Sequence, residues 1–209
     1  MTLPTGVAVL GSSGSIGRST LDVIARHPER FRVTALTAHT QWQRLLEQAR
    51  VHRPDVVVLV DATHASDLEE GLRALGLTIP VLTGEAALEQ VATAAGTDCV
   101  MAAIVGAAGL SSTLAAAQAG KRVLLANKEA LVMSGPLLIQ AVQASGAELL
   151  PIDSEHNAIF QCLPASGPGI AAAGVRRLWL TASGGPFLRL QAADFAGITP
   201  EQAVAQIGR

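Results

Sequence analysis

The sequence has no tyrosine, and aromatic residues make up only 3% of its 209 positions. Charge is sparse too: 15% of residues are charged, 17 acidic against 15 basic. No basic stripe stands out. A nucleic-acid surface needs clustered Lys and Arg and rings on which bases stack, so that partner is excluded. There are 2 cysteines, Cys99 and Cys162, without CxxC spacing. They read as reduced residues of a cytoplasmic protein, not as a disulfide framework. Long apolar runs are missing as well. The longest, "VMAAIVGAAGL", falls far short of the roughly 20 residues a membrane span requires. The start, "MTLPTGVAVLGSSG", runs straight into a strand and a glycine turn. No signal peptide is expected, and the protein is expected to be soluble without a membrane partner.

What is present is apolar substance, with 49% hydrophobic residues. A chain of this length holds one large domain, or one domain and part of a second, around a sizeable core. Short apolar runs alternate with segments of helical period. "VAVL", "RVTALTA", "DVVVLV", "PVLTG", "CVMAAIV", "RVLLA" and "AELLPI" read as strands. Helical segments lie between them, with Pro28, Pro54, Gly76 and Gly120 as stop signals. Strands apolar throughout, each followed by a helix, indicate a parallel sheet covered on both faces. The expected fold is α/β, a doubly wound, Rossmann-like parallel sheet over residues 1–150. The rhythm changes after Pro151. "PASGPGIAAAG" reads as a loop, "VRRLWLTA" as a strand and "SGGPF" as a turn. Residues 151–209 are therefore expected to begin a second, α+β domain that is unfinished at Arg209.

"VAVLGSSGSIGRSTLDVI" places Gly11, Gly14 and Gly17 between the first strand and the first helix. Glycines there let the backbone turn tightly and approach a diphosphate, which rests on the helix N-terminus. The spacing G-x-x-G-x-x-G alone equally describes a tight turn; the surrounding βα alternation favours a dinucleotide. An NAD site usually carries Asp or Glu about 20 residues past the glycines, to hold the ribose hydroxyls. Here that point holds Ala38, His39, Thr40 and Gln41, with Arg44 nearby. The missing carboxylate leans towards NADP, although the turn itself has no Arg or Lys.

Ligands of open α/β sheets bind outside the carboxyl ends of the strands. "RVLLA" ends in Asn127, Lys128 and Glu129, which read equally as site residues or as an ordinary first helical turn. "LPIDSEHNAIFQCLP" gathers Asp153, Glu155, His156 and Asn157 where an apolar strand ends. In an extended segment Asp153 and Glu155 would point the same way. Two hard oxygen donors suit Mg2+ or Mn2+. The other reading is that Asp153 or Ser154 caps a helix starting near Glu155, and both can hold at one helix start. Ser183 with Gly184 and Gly185 reads as an oxyanion or phosphate site, or as a Gly-Gly-Pro turn.

Together, "GSSGSIGRSTLDVI", "MAAIVGAAGL", "LLANKEALV", "PIDSEHNAIFQCL" and "LTASGGPF" resemble the 1-deoxy-D-xylulose 5-phosphate reductoisomerase family, in its order and at its spacing. The resemblance covers nearly the whole chain, and "IDSEHNAIFQ" is highly specific. It implies an NADP-dependent oxidoreductase for isoprenoid biosynthesis. With NADPH and Mg2+ or Mn2+, such an enzyme turns 1-deoxy-D-xylulose 5-phosphate into 2-C-methyl-D-erythritol 4-phosphate. It implies that Ser13, Gly14, Ser15 and Ile16 hold cofactor phosphates, with Gln41, Asn127 and Glu129 also at the cofactor. Asp153 and Glu155 would be two of three metal carboxylates. Lys128, Ser154, Glu155 and Ser183 would contact the sugar phosphate, and Lys128, Asp153 and Glu155 would be catalytic. The full-length form would be a homodimer. Many members carry Gly-Lys-Asn or Gly-Arg-Asn where this sequence has His39, Thr40 and Gln41. The family is about twice as long, so the third carboxylate, a mobile lid and a helical domain fall outside these residues. The 209 residues alone are expected to bind cofactor without turnover.

Two other classes compete. A semialdehyde dehydrogenase type of NADP enzyme shares such a glycine turn but needs a nucleophilic Cys beside a His, and Cys162 has no such setting. A non-enzymatic nucleotide-binding module would need only the first domain.

Overall fold

Every residue from Gly6 to Leu10 is buried, although alternate side chains of a strand point to opposite faces. Such a strand needs cover on both sides. In the computed structural model, which describes residues 3–163, 174–180 and 185–204, it is β1 (Thr5–Leu10) of a seven-stranded sheet. The other strands are β2 (Phe31–Ala38), β3 (Val56–Leu59), β4 (Val81–Thr83), β5 (Cys99–Ala102), β6 (Arg122–Leu125) and β7 (Glu148–Pro151). Helices α1 (Ser15–Arg26), α2 (Trp42–His52), α3 (Ala65–Ala74), α4 (Ala86–Thr93), α5 (Leu110–Gln118) and α6 (Lys128–Ser145) alternate with them. All pairings are parallel, in the order β4-β3-β2-β1-β5-β6-β7. The doubly wound α/β reading is borne out.

The two faces carry separate cores. Val7, Val9, Val57, Leu59 and Met101 pack with Leu21 of α1, Leu45 of α2 and Leu68 of α3. Ala8, Leu10, Val58, Val100 and Val123 pack with Val91 of α4, Ala116 of α5 and Leu138 of α6. Helices α1 to α3 thus cover one face and α4 to α6 the other. Strand β2 breaks the alternation. Its register against β1 shifts between Val7 and Ala8, which pair with Val33 and Ala35. Thr34 is the extra residue, a bulge that brings Val33 and Leu36 to the same face. Its buried hydroxyl lies 2.8 Å from that of Thr97, so the bulge strands no polar group.

From β1 the chain winds outward to β4, then returns to β5 on the opposite side of β1. Connections leaving β1 and β5 therefore run in opposite directions. They open a crevice at the carboxyl ends of those strands.

Helix α6 runs unbroken through "KEALV" and on through "PLLIQAVQAS". Pro136 lies inside it, and Ser134 has non-helical backbone angles. Proline lacks the N–H of the helical ladder and crowds the preceding turn, so the helix kinks without ending. The Ser134 hydroxyl donates to the Ala130 carbonyl at 2.8 Å across the bend.

β7 leads into α7 (Ser154–Cys162). Within this helix the chain divides into two compact units, Met1–Asn157 and Ala158–Arg209. Among its described residues the second unit holds 3-10 turns at Gly185–Phe187 and Ala192–Gly197 and a short helix, α8 (Pro200–Val204). The strand expected over "VRRLWLTA" is not there: residues 175–180 form no strand, and Leu178, Trp179 and Leu180 are exposed. A strand exists through its ladder, and no partner for this one is found among the described residues. Of the expected "PASGPGIAAAG" loop, residues 164–173 lie outside the described residues. Among the described residues no helix is long and apolar enough to cross a membrane.

Candidate functional site

The glycine turn leaves β1 at the crevice. Gly11 has a φ of 78°, in the left-handed region that favours glycine. Its N–H donates to Thr37 Oγ1 at 2.8 Å. A Cβ on Gly17, in the first turn of α1, would stand 2.5 Å from the Gly11 carbonyl oxygen and from Ser12 Cα. Only glycine allows α1 to approach the loop this closely. Gly14 precedes α1 in extended conformation and gives the helix no side-chain cap. The first-turn N–H groups, those of Ser15 and Ile16 included, are thus left for an anion.

Helix α2 braces this loop. Ser12 is fully buried. Its hydroxyl donates to Gln48 Oε1 at 2.7 Å, and Gln48 Nε2 donates to the Ser12 carbonyl at 2.8 Å. One helical turn earlier, Arg44 Nη1 donates to the Ser13 carbonyl at 3.2 Å. Residues four apart share a helix face, and this face of α2 meets the loop. The loop walls a cleft of about 260 Å³, lined among others by Ser13, Gly14, Ala38, His39 and Ile104.

A second group stands at the carboxyl ends of β6 and β7. Asn127 is buried and caps α6, its Oδ1 accepting from the Ala130 N–H at 3.3 Å. Its Nδ2 donates to the Gly106 carbonyl at 3.0 Å. Val105, next to Gly106, lines the cleft, so Asn127 ties the start of α6 to the cleft wall. Lys128 Nζ lies 3.0 Å from Asp153 Oδ2. That hydrogen bond is the main reason the Asp153 carboxyl is held below the usual carboxylate range, partly opposed by burial. In return the Lys128 ammonium is pushed up, first by Asp153 and then by the charges of Glu155 and Glu129. His156 Nδ1 lies 3.9 Å from the other Asp153 oxygen. The Ser154 hydroxyl donates to Glu155 Oε2 at 2.7 Å.

The extended geometry expected for Asp153 and Glu155 does not hold. α7 starts at Ser154, which puts Glu155 in the first helical turn and Asp153 just before it. Acidic side chains are favoured there by the helix dipole, so a helix start and a cation-facing pair coincide. Their donor set is hard oxygen, which fits Mg2+ or Mn2+. Among the described residues no group of three His, Cys, Asp or Glu is arranged to hold a metal ion.

The structure therefore assembles two clusters from the expected site residues. Ser13, Gly14, Ser15 and Ile16 lie at the start of α1, and Lys128, Glu129, Asp153, Ser154 and Glu155 lie beyond β6 and β7. Gln41 is exposed at the start of α2 and makes no side-chain capping bond. Ser183 lies outside the described residues. Sequence reasoning passed over Ser12, Thr37 and Gln48. The four-residue spacing of Arg44 and Gln48 was visible, but not the object that their shared face meets.

Two family models match the chain. "1-deoxy-D-xylulose 5-phosphate reductoisomerase" matches residues 7–135, and the "1-deoxy-D-xylulose 5-phosphate reductoisomerase C-terminal domain" matches residues 149–206. The 1-deoxy-D-xylulose 5-phosphate reductoisomerase of Methylococcus capsulatus is 62% identical over 202 residues, covering 96% of this chain and 51% of its own length. The solved Zymomonas mobilis enzyme in complex with NADPH is 47% identical with a TM-score of 0.85, over 97% of this chain and 52% of its own. A reductoisomerase solved with NADPH, fosmidomycin and magnesium is 45% identical with a TM-score of 0.82, over 96% of this chain and 50% of its own. The chain spans about half the length of the curated relatives it matches.

Proposed function

Because the chain belongs to the 1-deoxy-D-xylulose 5-phosphate reductoisomerase family, we propose that it is the NADPH-binding part of such an enzyme and the beginning of its metal and substrate site. The proposed division is a cofactor domain over 1–150 and the start of the catalytic domain over 151–209. For the whole enzyme, the reaction is the rearrangement and reduction of 1-deoxy-D-xylulose 5-phosphate to 2-C-methyl-D-erythritol 4-phosphate. It is a cytoplasmic step towards isoprenoid precursors, carried out by a homodimer. The observation that carries this reading is the Lys128–Asp153 pair, which joins "LLANKEALV" to the family's most specific stretch, "IDSEHNAIFQ", on the sheet that holds the glycine cleft.

NADPH supplies the hydride and a divalent cation supplies Lewis acidity when they are bound. The rest is the work of this chain. The loop from Ser13 to Ile16 receives the cofactor diphosphate on its N–H groups. Asn127, locked to Ala130 and Gly106, fixes the start of α6, and with it Lys128 and Glu129. Lys128 sets a positive charge where an oxyanion develops on the sugar. Asp153 stays ionised at neutral pH and, with Glu155, offers oxygen donors to the cation. Ser154, whose hydroxyl must turn from Glu155 to do so, and Ser183 are the proposed hydroxyl contacts of the sugar phosphate.

The test is a titration of the chain with NADPH and with NADH, following nicotinamide fluorescence. NADPH is expected to bind more tightly; equal affinities would overturn the NADP assignment. With 1-deoxy-D-xylulose 5-phosphate and Mn2+ added, the 209 residues are expected to show no steady NADPH oxidation. Two carboxylates hold such a cation weakly. Sustained oxidation by this chain alone would refute the three-carboxylate account.

A further inference from the structure

Resting on the NADPH reading above, we propose that Arg44 is the side chain that recognises the 2′-phosphate of the cofactor. It would do so from helix α2, in place of a basic residue in the turn after β2. The adenosine ribose of a bound dinucleotide lies at the end of the second strand, beside the glycine loop. Here β2 ends at Ala38, and the exposed residues that follow, His39, Thr40 and Gln41, include no Lys, Arg, Asp or Glu. Arg44 reaches this place from the side. Its Nη1 lies 3.2 Å from the Ser13 carbonyl, and Ser13, Ala38 and His39 line one and the same cleft. Arg44 itself lines the neighbouring groove between α1 and α2, and its guanidinium is anchored on the loop at Ser13, the residue the cleft shares with Ala38 and His39.

Further features bear on a phosphate. The hydrogen bond to Ser13 uses only part of a planar fork of five N–H donors, and the rest can meet phosphate oxygens. Arg44 forms no ion pair among the described residues, so its charge is not already spent on a carboxylate. Arg18 and His52 share the neighbouring groove between α1 and α2 with Glu47 and with Asp22, whose carboxylate is paired with Arg26. Gln48 clamps α2 to Ser12 from the next turn, which sets Arg44 in place before any ligand arrives. Asp61, whose charge reaches His39, follows β3 and not β2, where the acidic residue of an NAD site stands. Its carboxylate accepts the Thr63 N–H at 2.9 Å and the Thr63 hydroxyl at 2.6 Å.

The experiment compares the unaltered chain with Arg44→Ala and Arg44→Lys, measuring Kd for NADPH and for NADH by nicotinamide fluorescence. Arg44→Ala is expected to weaken NADPH by about ten- to a hundredfold, the size of a charge-assisted hydrogen bond. NADH, which loses only the Ser13 brace, should weaken far less than NADPH, and Arg44→Lys should recover part of the loss. An equal loss for both cofactors would make Arg44 only a brace of the glycine loop and overturn the proposal. So would an unchanged NADPH affinity. Failure of the NADPH reading itself would already show in the unaltered chain, as equal binding of the two cofactors.

Discussion

Lys128 Nζ lies 3.0 Å from Asp153 Oδ2, and the two residues follow adjacent parallel strands, β6 and β7. Lys128 is 56% exposed and Asp153 16%. With its lysine end open to solvent, the pair adds little to folding. Its position, one residue beyond the buried Asn127 on one side and at the start of α7 on the other, makes it a device for local charge.

That separation of roles is testable in a full-length enzyme carrying this half. Lys128→Ala, Asp153→Asn and Glu155→Gln should each remove most turnover and leave the melting temperature nearly unchanged. The two carboxylate variants should also weaken Mn2+ binding. Were the stretch only a helix cap, activity would survive and stability would fall by about 0.5–2 kcal/mol. Turnover and melting measured on the same samples decide between them.

Gly14 and Gly17 should respond differently to alanine. At Gly14 the φ is −74° and a Cβ would stand 3.4 Å from the Gly11 carbonyl oxygen, an ordinary contact. Gly14→Ala should fold normally and bind NADPH more weakly, because the methyl meets the diphosphate. At Gly17 the clash is with backbone at 2.5 Å. Gly17→Ala should lose about 1–3 kcal/mol as well as cofactor binding. Thermal melts and NADPH titration of both variants suffice; equal melting temperatures would refute the packing argument.

Gln48 has no contact role in the proposed chemistry, yet it holds Ser12 by two hydrogen bonds. Gln48→Ala leaves the Ser12 carbonyl without that donor, while the Ser12 hydroxyl keeps the Thr37 carbonyl at 3.1 Å. The expected loss is about 1–3 kcal/mol in urea unfolding. NADPH and NADH should weaken by the same factor, unlike the selective loss expected of Arg44→Ala.

Cys99 and Cys162 should differ sharply towards thiol reagents. Burial in the sheet pushes the Cys99 thiol up from its ordinary 9.0 to about 11, despite the nearby charge of Arg122. Cys162 is exposed. Labelling at mildly alkaline pH, read by mass spectrometry, should modify Cys162 quickly and Cys99 only on unfolding. Because the folded thiol holds its proton more tightly than the unfolded one, stability is unaffected at neutral pH. It should fall as pH rises from about 9 towards 11. Equal labelling of both cysteines in the folded chain would contradict this.

The strands from β1 to β7 were legible because each is apolar on both faces, a local pattern that only a helix-covered parallel sheet satisfies. The stop signals at Gly76 and Gly120 were legible for a similar reason, since their left-handed φ values of 67° and 71° suit glycine. Two local signals failed where locality failed. Proline is locally a helix-boundary signal, yet Pro136 is a kink, because packing of Leu138 into the second core holds the helix together across it. "VRRLWLTA" looked like a strand and forms none over 175–180, because β-propensity needs a partner to act upon.

The candidate site divides along the same line. Residue types and their spacing in the chain identify the glycine turn and the Asp153–Glu155 stretch, since each lies within one short segment. Three things were out of reach of any such segment: the clamp of Gln48 on Ser12, 36 residues apart, the reach of Arg44 to Ser13, 31 apart, and the pairing of Lys128 with Asp153, 25 apart. These depend on which strands become neighbours and which face of a helix turns towards the loop. Sheet order and core packing decide that through space, and hydrophobic periodicity along the chain carries no record of it.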